Sequence, residues 1–591
     1  MKSDRCCYLG TIKEFLNENE DEWIRSMKTR FHEIYEDFPL EDDDNRGQVG
    51  AWKDCFRVLQ NVLKNAEYQD TNYIIFEYKL PYEGGRRPDV LIVSSNQLLV
   101  LEFKQWDHYE ETQADQLLGY TRDFREYHVA CRDMDVISVL VLTRTTGILR
   151  KTKNVFVRSP DKLEIHCRSD KDFNIYDWID SDYQPLPSIL EAARLLAQEK
   201  PLPEIRQAQS AGIPDAMKEL KKWVYYAHNQ KKFILAFVTG VPGAGKTLLG
   251  LKLVYDKLGD DKELFPTLLV SGNDPLVDVF QYMLESKCLV RRVREIKAEK
   301  AINKNVVVFD EGQRAWDDES KEFIKYMSRD LDWGFLLILV GEGQSINDRE
   351  HEKLTHWAEA LKLDWEVVCP SKLKTIFPNA IAMEDKLDLT VSLRSHTAVY
   401  VSAFVNALVA GEIDKAKELF SKIDADKDAF SIYLTRNLDL AKKYCCERYE
   451  DESSKHYGII TSSKGSFYRP PQIKATSHYN PINECGPWYV LNRGVDGSGK
   501  NFEKVATEFA CQGLELNMPI VYWNSDFIWN TSWRNWRTLG DNNEITRNYR
   551  INTYRVLLTR GRDGMIIYIP SDSRFNSTYE LLKDIGIEEL Q

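Results

Sequence analysis

The chain has 591 residues, room for three or four domains at about 150 residues each, which excludes a single small binding module. Hydrophobic residues make up 43% and charged residues 29%, and no unbroken apolar run exceeds that of Phe335 to Val340, far short of the ~20 residues that span a bilayer, so no membrane span is expected. Lysine and arginine total 79 against 92 acids, and the net charge of −13 argues against a nonspecific coat on nucleic acid while leaving room for a local basic channel.

Residues 1–50 are acid-rich, with Asp42, Asp43 and Asp44 in a row, and read as a solvated face or arm. The opening Lys2, Asp4 and Arg5 with two cysteines match neither a secretory signal nor an acid-free transit peptide, so a cytoplasmic location is expected. Eleven cysteines without a Cys-x-x-Cys pair read as reduced thiols rather than a disulfide scaffold or zinc finger.

From Tyr73 the pattern turns to strands, Tyr73 to Leu80, Val90 to Val93 and Leu98 to Phe103, with turns at Gly84-Gly85 and Ser94-Ser95-Asn96. They predict a small mixed sheet. Arg86-Arg87 lead into Pro88-Asp89, and Glu102-Phe103-Lys104 ends a strand thirteen positions after Asp89. Carboxylates on adjacent strands share one or two divalent ions, and a nearby lysine orients water and offsets charge on a scissile phosphate. Asp89 and Glu102 are therefore candidate ligands for Mg²⁺ or Mn²⁺, with Lys104 beside them. The next predicted helix carries Gln116 and Tyr120, four residues apart on one face.

Pro-Asp, Glu-x-Lys and Gln-x-x-x-Tyr in this order resemble the RecB-type PD-(D/E)xK nucleases, which have a restriction-endonuclease-like fold. The resemblance implies that Gln116 and Tyr120 look toward the metal site. It also implies a third carboxylate on the first core helix, for which residues 47–64 offer Asp54, with strand residue Glu77 as the substitute. Cys131 and Cys167 lack the companions of the iron-sulfur cluster that some members carry, so no cluster is expected.

Three prolines and polar filler between Pro201 and Pro214 mark a domain edge. Beyond it, apolar runs at Phe233 to Thr239, Thr267 to Ser271, Asn305 to Phe309, Phe335 to Val340, Gly458 to Thr461 and Met565 to Ile569 alternate with helical stretches, which predicts parallel α/β sheets. The first run enters Gly240-Val241-Pro242-Gly243-Ala244-Gly245-Lys246-Thr247 and then a helix, a P-loop in its required context. Its amides would face phosphate, Lys246 would reach the β and γ phosphates, and Thr247 would bind Mg²⁺.

Val306 to Phe309 end in Asp310-Glu311, where Asp310 would hold Mg²⁺ and Glu311 would polarise the attacking water. Gln344 follows a further strand, within reach of the γ-phosphate. Arg394 and Arg560 are candidates for positive charge opposite it.

The order P-loop, Asp310-Glu311, Gln344, Arg394, Gln512-Gly513-Leu514-Glu515, Leu558-Thr559-Arg560 resembles a superfamily-one helicase core over residues 233–570, and more narrowly the Schlafen-related helicase group. Ser271 to Leu276, Asp310 to Trp316 and Ala506 to Phe509 match as well. Gly312 stands where relatives usually carry Ala, and little effect is expected from so small a change. The resemblance implies two RecA-like lobes closing on ATP, with Glu515 in the nucleotide set. The expected domains are 1–200, nuclease-like; 201–375, first lobe; and 376–591, second lobe.

Trp523, Trp529, Trp533 and Trp536 interleave with Arg534 and Arg537, and read as lobe core or lobe interface in preference to a base-stacking platform. Arg291, Arg292 and Arg294 with Lys297 and Lys300 read as a solvated helix face in preference to a phosphate track. A nuclease domain ahead of a Schlafen-like helicase resembles bacterial nuclease-helicase immunity proteins that act on phage DNA. The expected function is an ATP-dependent nuclease-helicase; the alternative is a nucleotide-gated nucleic-acid-binding switch whose nuclease fold is inactive. Polarity, DNA against RNA, and oligomeric state stay open.

Overall fold

Period-two alternation builds the first sheet, because residues on each strand point alternately to two faces. Its strands are β1 (Tyr8–Thr11), β2 (Tyr73–Phe76), β3 (Val90–Val93), β4 (Gln97–Lys104), β5 (Asp135–Leu142), β6 (Leu149–Thr152) and β7 (Val155–Arg158). They lie in the order β1-β2-β3-β4-β5-β7-β6, with β4, β5 and β7 parallel and the other pairs antiparallel. Ile74, Phe76, Val90 and Ile92 pack against Trp23 and Trp52 of the helices Glu20–Ile34 and Gly47–Leu63. Ile75, Leu91, Val93 and Val100 pack on the other face against Leu117, Leu118 and Phe124 of the helix Glu111–Tyr127.

In this computed structural model, the described residues are 4–35, 40, 47–66, 68, 70–166, 173–185, 187–198, 212–241, 243–255, 267–271, 273–284, 290–300, 302–312, 317–341, 350–361, 364–391, 396–425, 430–450, 452–465, 472–473, 484–534 and 544–591. Pro242, Gln344, Arg394, Trp536 and Cys167 lie outside them.

The second sheet holds β8 (Phe233–Gly240), β9 (Thr267–Ser271), β10 (Val290–Arg292), β11 (Val306–Asp310), β12 (Gly334–Gly341), β13 (Trp365–Cys369), β14 (Ala382–Met383) and β15 (Asp388–Leu389). All pairs are parallel, in the order β10-β9-β11-β12-β8-β13-β14, and β15 pairs with the end of β8. Every residue of β8, β11 and β12 is buried, as expected for a parallel sheet covered on both faces.

The third sheet holds β16 (Ser431–Thr435), β17 (Tyr457–Thr461), β18 (Gln472–Ile473), β19 (Val505–Thr507), β20 (Met518–Tyr522), β23 (Gly564–Tyr568) and β24 (Glu588–Glu589), all parallel, while β21 (Ile528–Trp529) and β22 (Trp533–Arg534) form a separate hairpin. Between the two parallel sheets, the helix Asp274–Met283 packs on the helix Cys485–Val490.

Two elements pack across the expected boundaries. The second sheet continues through β15, past residue 375, because the β15 strand pairs with β8 itself. Leu190, Ala192 and Ala193, before residue 200, share a core with Leu248 and Leu249, so the helix Ile189–Ala197 serves the first lobe. β2 stops at Phe76 rather than Leu80, because Glu77 has a left-handed backbone, φ 52°. No described helix is long and apolar enough to cross a membrane.

Candidate active sites

β8 delivers the chain to the P-loop, where Gly243 and Gly245 have φ values of 79° and 86° that a side chain would strain. The loop opens the helix Lys246–Tyr255, whose first amides face outward from its N-terminus. Lys246 Nζ donates to the carbonyls of Gly240 at 2.7 Å and Val241 at 3.0 Å, so the ammonium stands at the mouth of the loop. Ala244 is fully buried beneath it.

Thr247 Oγ1 donates to both carboxylate oxygens of Asp310, at 3.2 and 3.3 Å. Asp310 is pushed up to about 7 by burial and by the neighbouring Glu311 charge, against the Thr247 hydrogen bond. A hydroxyl and a buried carboxylate that gains from an added positive charge suit Mg²⁺, a hard cation that takes oxygen ligands and keeps several waters. Glu311 has φ 57°, a strained backbone of the kind found at functional sites.

On the second lobe, Arg560 follows the helix Glu544–Leu558 and donates to the carbonyls of Val556 at 3.0 Å and Leu514 at 3.2 Å. The two lobes meet at the matched motifs, with Asn273 Nδ2 donating to the Gln512 carbonyl at 2.9 Å. The Glu515 carboxylate lies 3.9 Å from Arg562 Nε within the second lobe.

In the N-terminal domain, the register Val90↔Leu101 sets Asp89 against Glu102 across β3 and β4. Asp89 Oδ2 accepts the Phe103 N–H at 2.7 Å, and Glu102 Oε1 lies 3.1 Å from Lys104 Nζ. Glu102 Oε2 is buried without a hydrogen-bond partner among the described residues. Burial, then the charge of Glu77, pushes Asp89 up to about 6; burial, then Asp89, pushes Glu102 up to about 7. Two crowded, desolvated carboxylates, one with an orphaned oxygen, fit a hard divalent ion completed by water and phosphate. Gln116 and Tyr120 do share a face, Gln116 Nε2 donating to the Tyr120 hydroxyl at 3.4 Å. Tyr120 is held well above its usual range by burial and then by the Glu102 charge.

Both candidates for a third carboxylate are already engaged. Asp54 accepts from Gln105 and lies against Arg144, each at 2.7 Å. Glu77 accepts from Gln48 at 2.8 Å, Trp52 at 2.9 Å and Arg87 at 2.5 Å. Among the described residues, no three His, Cys, Asp or Glu side chains close into a metal cage.

The aromatic segment is core: Trp523 and Trp533 are buried and stack with Phe527, whose ring lies 4.4 Å from that of Trp533. The basic patch is a solvated helix face only in part: Arg294 is exposed on the helix Val293–Glu299, and Lys300 is exposed just after it. Arg291 and Arg292 lie on β10, and Arg292 is buried against Asp278 with Glu295 at 3.0 Å, while Arg291 pairs with Glu299. Sequence reasoning missed Arg86, which is buried and paired with Asp123 and Glu452; the Arg86-Arg87 doublet before Pro88-Asp89 is its only local signal.

Two all-parallel lobes, one bearing a P-loop and an acid-ended strand and the other Arg560 behind a Gln-Gly-Leu-Glu segment, define a nucleotide-dependent nucleic-acid helicase or translocase. The family model for the Schlafen group 3 DNA/RNA helicase domain matches residues 234–571, more than half of the chain, and the chain belongs to that family.

Among solved structures, the chain is similar to S. cerevisiae Dbp5 bound to RNA and ADP BeF3, at 12% identity over 68% of this chain and 93% of that one, with a TM-score of 0.26. It is similar to Bacteroides sp Pif1 in complex with ADP-AlF4, at 11% identity over 62% and 97%, with a TM-score of 0.25. The Pyrococcus furiosus Hef helicase domain matches at 11% identity over 61% and 97%, with a TM-score of 0.20. At such scores these likenesses add nothing to the assignment. No curated protein matches the chain.

Proposed function

We propose that the protein is an ATP-driven DNA translocase that cuts DNA with its N-terminal domain, acting in the cytoplasm against phage. The observation that carries the nuclease half is Glu102, whose buried, unpartnered Oε2 sits beside Asp89 and Lys104. The defence role follows from resemblance to bacterial nuclease-helicase immunity proteins. DNA is the expected strand, with RNA as the competing substrate in the assay below.

In the motor, Lys246 and the P-loop amides bind the phosphates, and Thr247 and Asp310 hold Mg²⁺. Glu311 takes a proton from the attacking water, with Gln344 orienting that water. Arg394 and Arg560 offset charge on the transferring group. In the nuclease, Asp89 and Glu102 hold Mg²⁺ or Mn²⁺, which supplies Lewis acidity at the scissile phosphate. Lys104 orients water beside that phosphate, and Gln116 and Tyr120 line the same side of the site.

The test is degradation of linear, circular and single-stranded DNA, and of RNA, with Mg²⁺ or Mn²⁺ and with or without ATP. Cutting lost in Asp89→Ala or Lys104→Ala supports the proposal; undiminished cutting in either refutes the nuclease site. Lys246→Ala hydrolysing ATP at the wild-type rate refutes the motor site.

A second reading has its own support. Because Asp54 and Glu77 are both already paired, the N-terminal fold would be a recognition module and the whole protein a nucleotide-gated switch. Nucleic-acid-stimulated ATPase activity without displaced or shortened strands selects it.

A further inference from the structure

The N-terminal domain is tied to both lobes, and the two ties differ in kind. Toward the first lobe, the chain runs on from the domain into the helix Ile189–Ala197, whose Leu190, Ala192 and Ala193 share an apolar core with Leu248 and Leu249 of the P-loop helix. Toward the second lobe, the contact is charged, buried and centred on the helix Glu111–Tyr127, which also carries Gln116 and Tyr120.

Asp115 on that helix accepts from Lys153 at 2.7 Å and from the hydroxyls of Tyr433, on β16, and Tyr444, on the helix Leu438–Arg448. Arg122 Nη1 lies 3.1 Å from Asp563, which also accepts from the Tyr449 hydroxyl at 3.0 Å and Asn517 Nδ2 at 2.9 Å. Arg86 pairs with Asp123 of the helix, and its Nε stands 2.8 Å from Glu452 of the second lobe. Asp115, Asp123, Arg86, Glu452 and Asp563 are all buried. Parting such pairs leaves uncompensated buried charge, so helix and lobe move together.

Both ends of this cluster lead to a site. Asp563 is three residues beyond Arg560. Arg86 is three residues before Asp89, and its guanidinium lies 4.9 Å from the Tyr120 ring centroid. The domain is thus pinned by charge to the second lobe, and its chain continues directly into a helix packed on the P-loop helix of the first. Any change in the angle between the lobes pulls on it.

We propose that Arg86 is a positioning residue that ties the nuclease-like site to the second lobe through Glu452, so that the nucleotide state of the motor sets the geometry around Asp89, Glu102 and Tyr120. Its consequence for cutting rests on the nuclease activity proposed above; its conformational part does not.

The test is hydrogen exchange of the full chain, with and without Mg²⁺ and a non-hydrolysable ATP analogue, followed over residues 84–90 and 111–127. Wild type should show nucleotide-dependent exchange there, by about five-fold or more. Glu452→Gln should bring the change to within about two-fold of none while ATPase activity holds. Arg122→Gln serves as the second variant should Glu452→Gln not fold. In parallel, the ratio of cutting with ATP to cutting without it should fall toward one in both variants. Exchange insensitive to nucleotide in wild type, or equally sensitive in the variants, overturns the proposal. A protein that cuts nothing under any metal yet shows the coupled exchange loses the nuclease activity and keeps the coupling; one whose ATP-dependent cutting ignores both substitutions keeps the nuclease and loses the coupling.

Discussion

Gly312 lies directly against Ile338: a Cβ at position 312 would stand 2.2 Å from Ile338 Cγ2. Ile338 is β-branched and fixed on the buried strand β12, so it cannot swing aside. The missing methyl is therefore a packing requirement of this chain, not the neutral change expected from size alone. Gly312→Ala should lower stability by about 1–3 kcal/mol, the usual cost of overpacking, and disturb Glu311 next to it. Ile338→Leu removes the offending branch at similar volume, so the double variant should be more stable than Gly312→Ala. Urea unfolding of the three variants checks this; simple additivity would refute it.

The two carboxylates of the N-terminal site make a pH signature. Asp89 rises from 3.8 to about 6 and Glu102 from 4.5 to about 7 on folding, through burial first and then mutual charge with Glu77 and each other. Between those limits the folded state binds more protons than the unfolded one, so this contribution to stability is fully present below the unfolded values and is lost as pH rises through the folded ones. Glu102→Gln should therefore raise the Tm of metal-free protein at pH 8 and have little effect near pH 4. Mn²⁺ should raise the wild-type Tm at pH 8 and leave that of the variant where it was. A Tm difference independent of pH would refute the assignment.

Much of the first lobe was legible because its signals are local. A wholly apolar run ending in glycines, and another ending in Asp310-Glu311, carry their strand and their site in adjacent residues. The β3 and β4 strands were legible for the same reason. The end of β2 was not, since the left-handed Glu77 is held by Gln48, Trp52 and Arg87, the first two from a helix some 25 residues away. Nor were the roles of Asp115 and Arg122, which look like ordinary helix-surface charges and meet partners more than 300 positions along the chain. Long-range burial, not residue type, decides such positions.

Glu77 separates a two-carboxylate site from a three-carboxylate one. Its oxygens are engaged by Gln48, Trp52 and Arg87, and the prediction is that it balances charge rather than holding a metal. Glu77→Gln should destabilise the fold by about 3–5 kcal/mol, because Arg87 loses its buried counter-charge. Cutting per folded molecule should stay within about ten-fold of wild type, against a loss of at least about a hundred-fold in Glu102→Gln. Equal losses in the two variants would make Glu77 a ligand.

Arg292 tests whether basic density on the first lobe grips nucleic acid. Its guanidinium is buried against Asp278, with Glu295 at 3.0 Å and Asp274 at 4.0 Å, so its charge is already spent on three acids. Arg292→Ala would strand those acids, and stability should fall by about 3–5 kcal/mol. A phosphate contact has a different signature: each one lost lowers the slope of log affinity against log salt by about 0.7–0.9. Measured on folded protein with single-stranded DNA, the slope for Arg292→Ala should equal that of wild type. A reduced slope at unchanged stability would return this arginine to the nucleic-acid track.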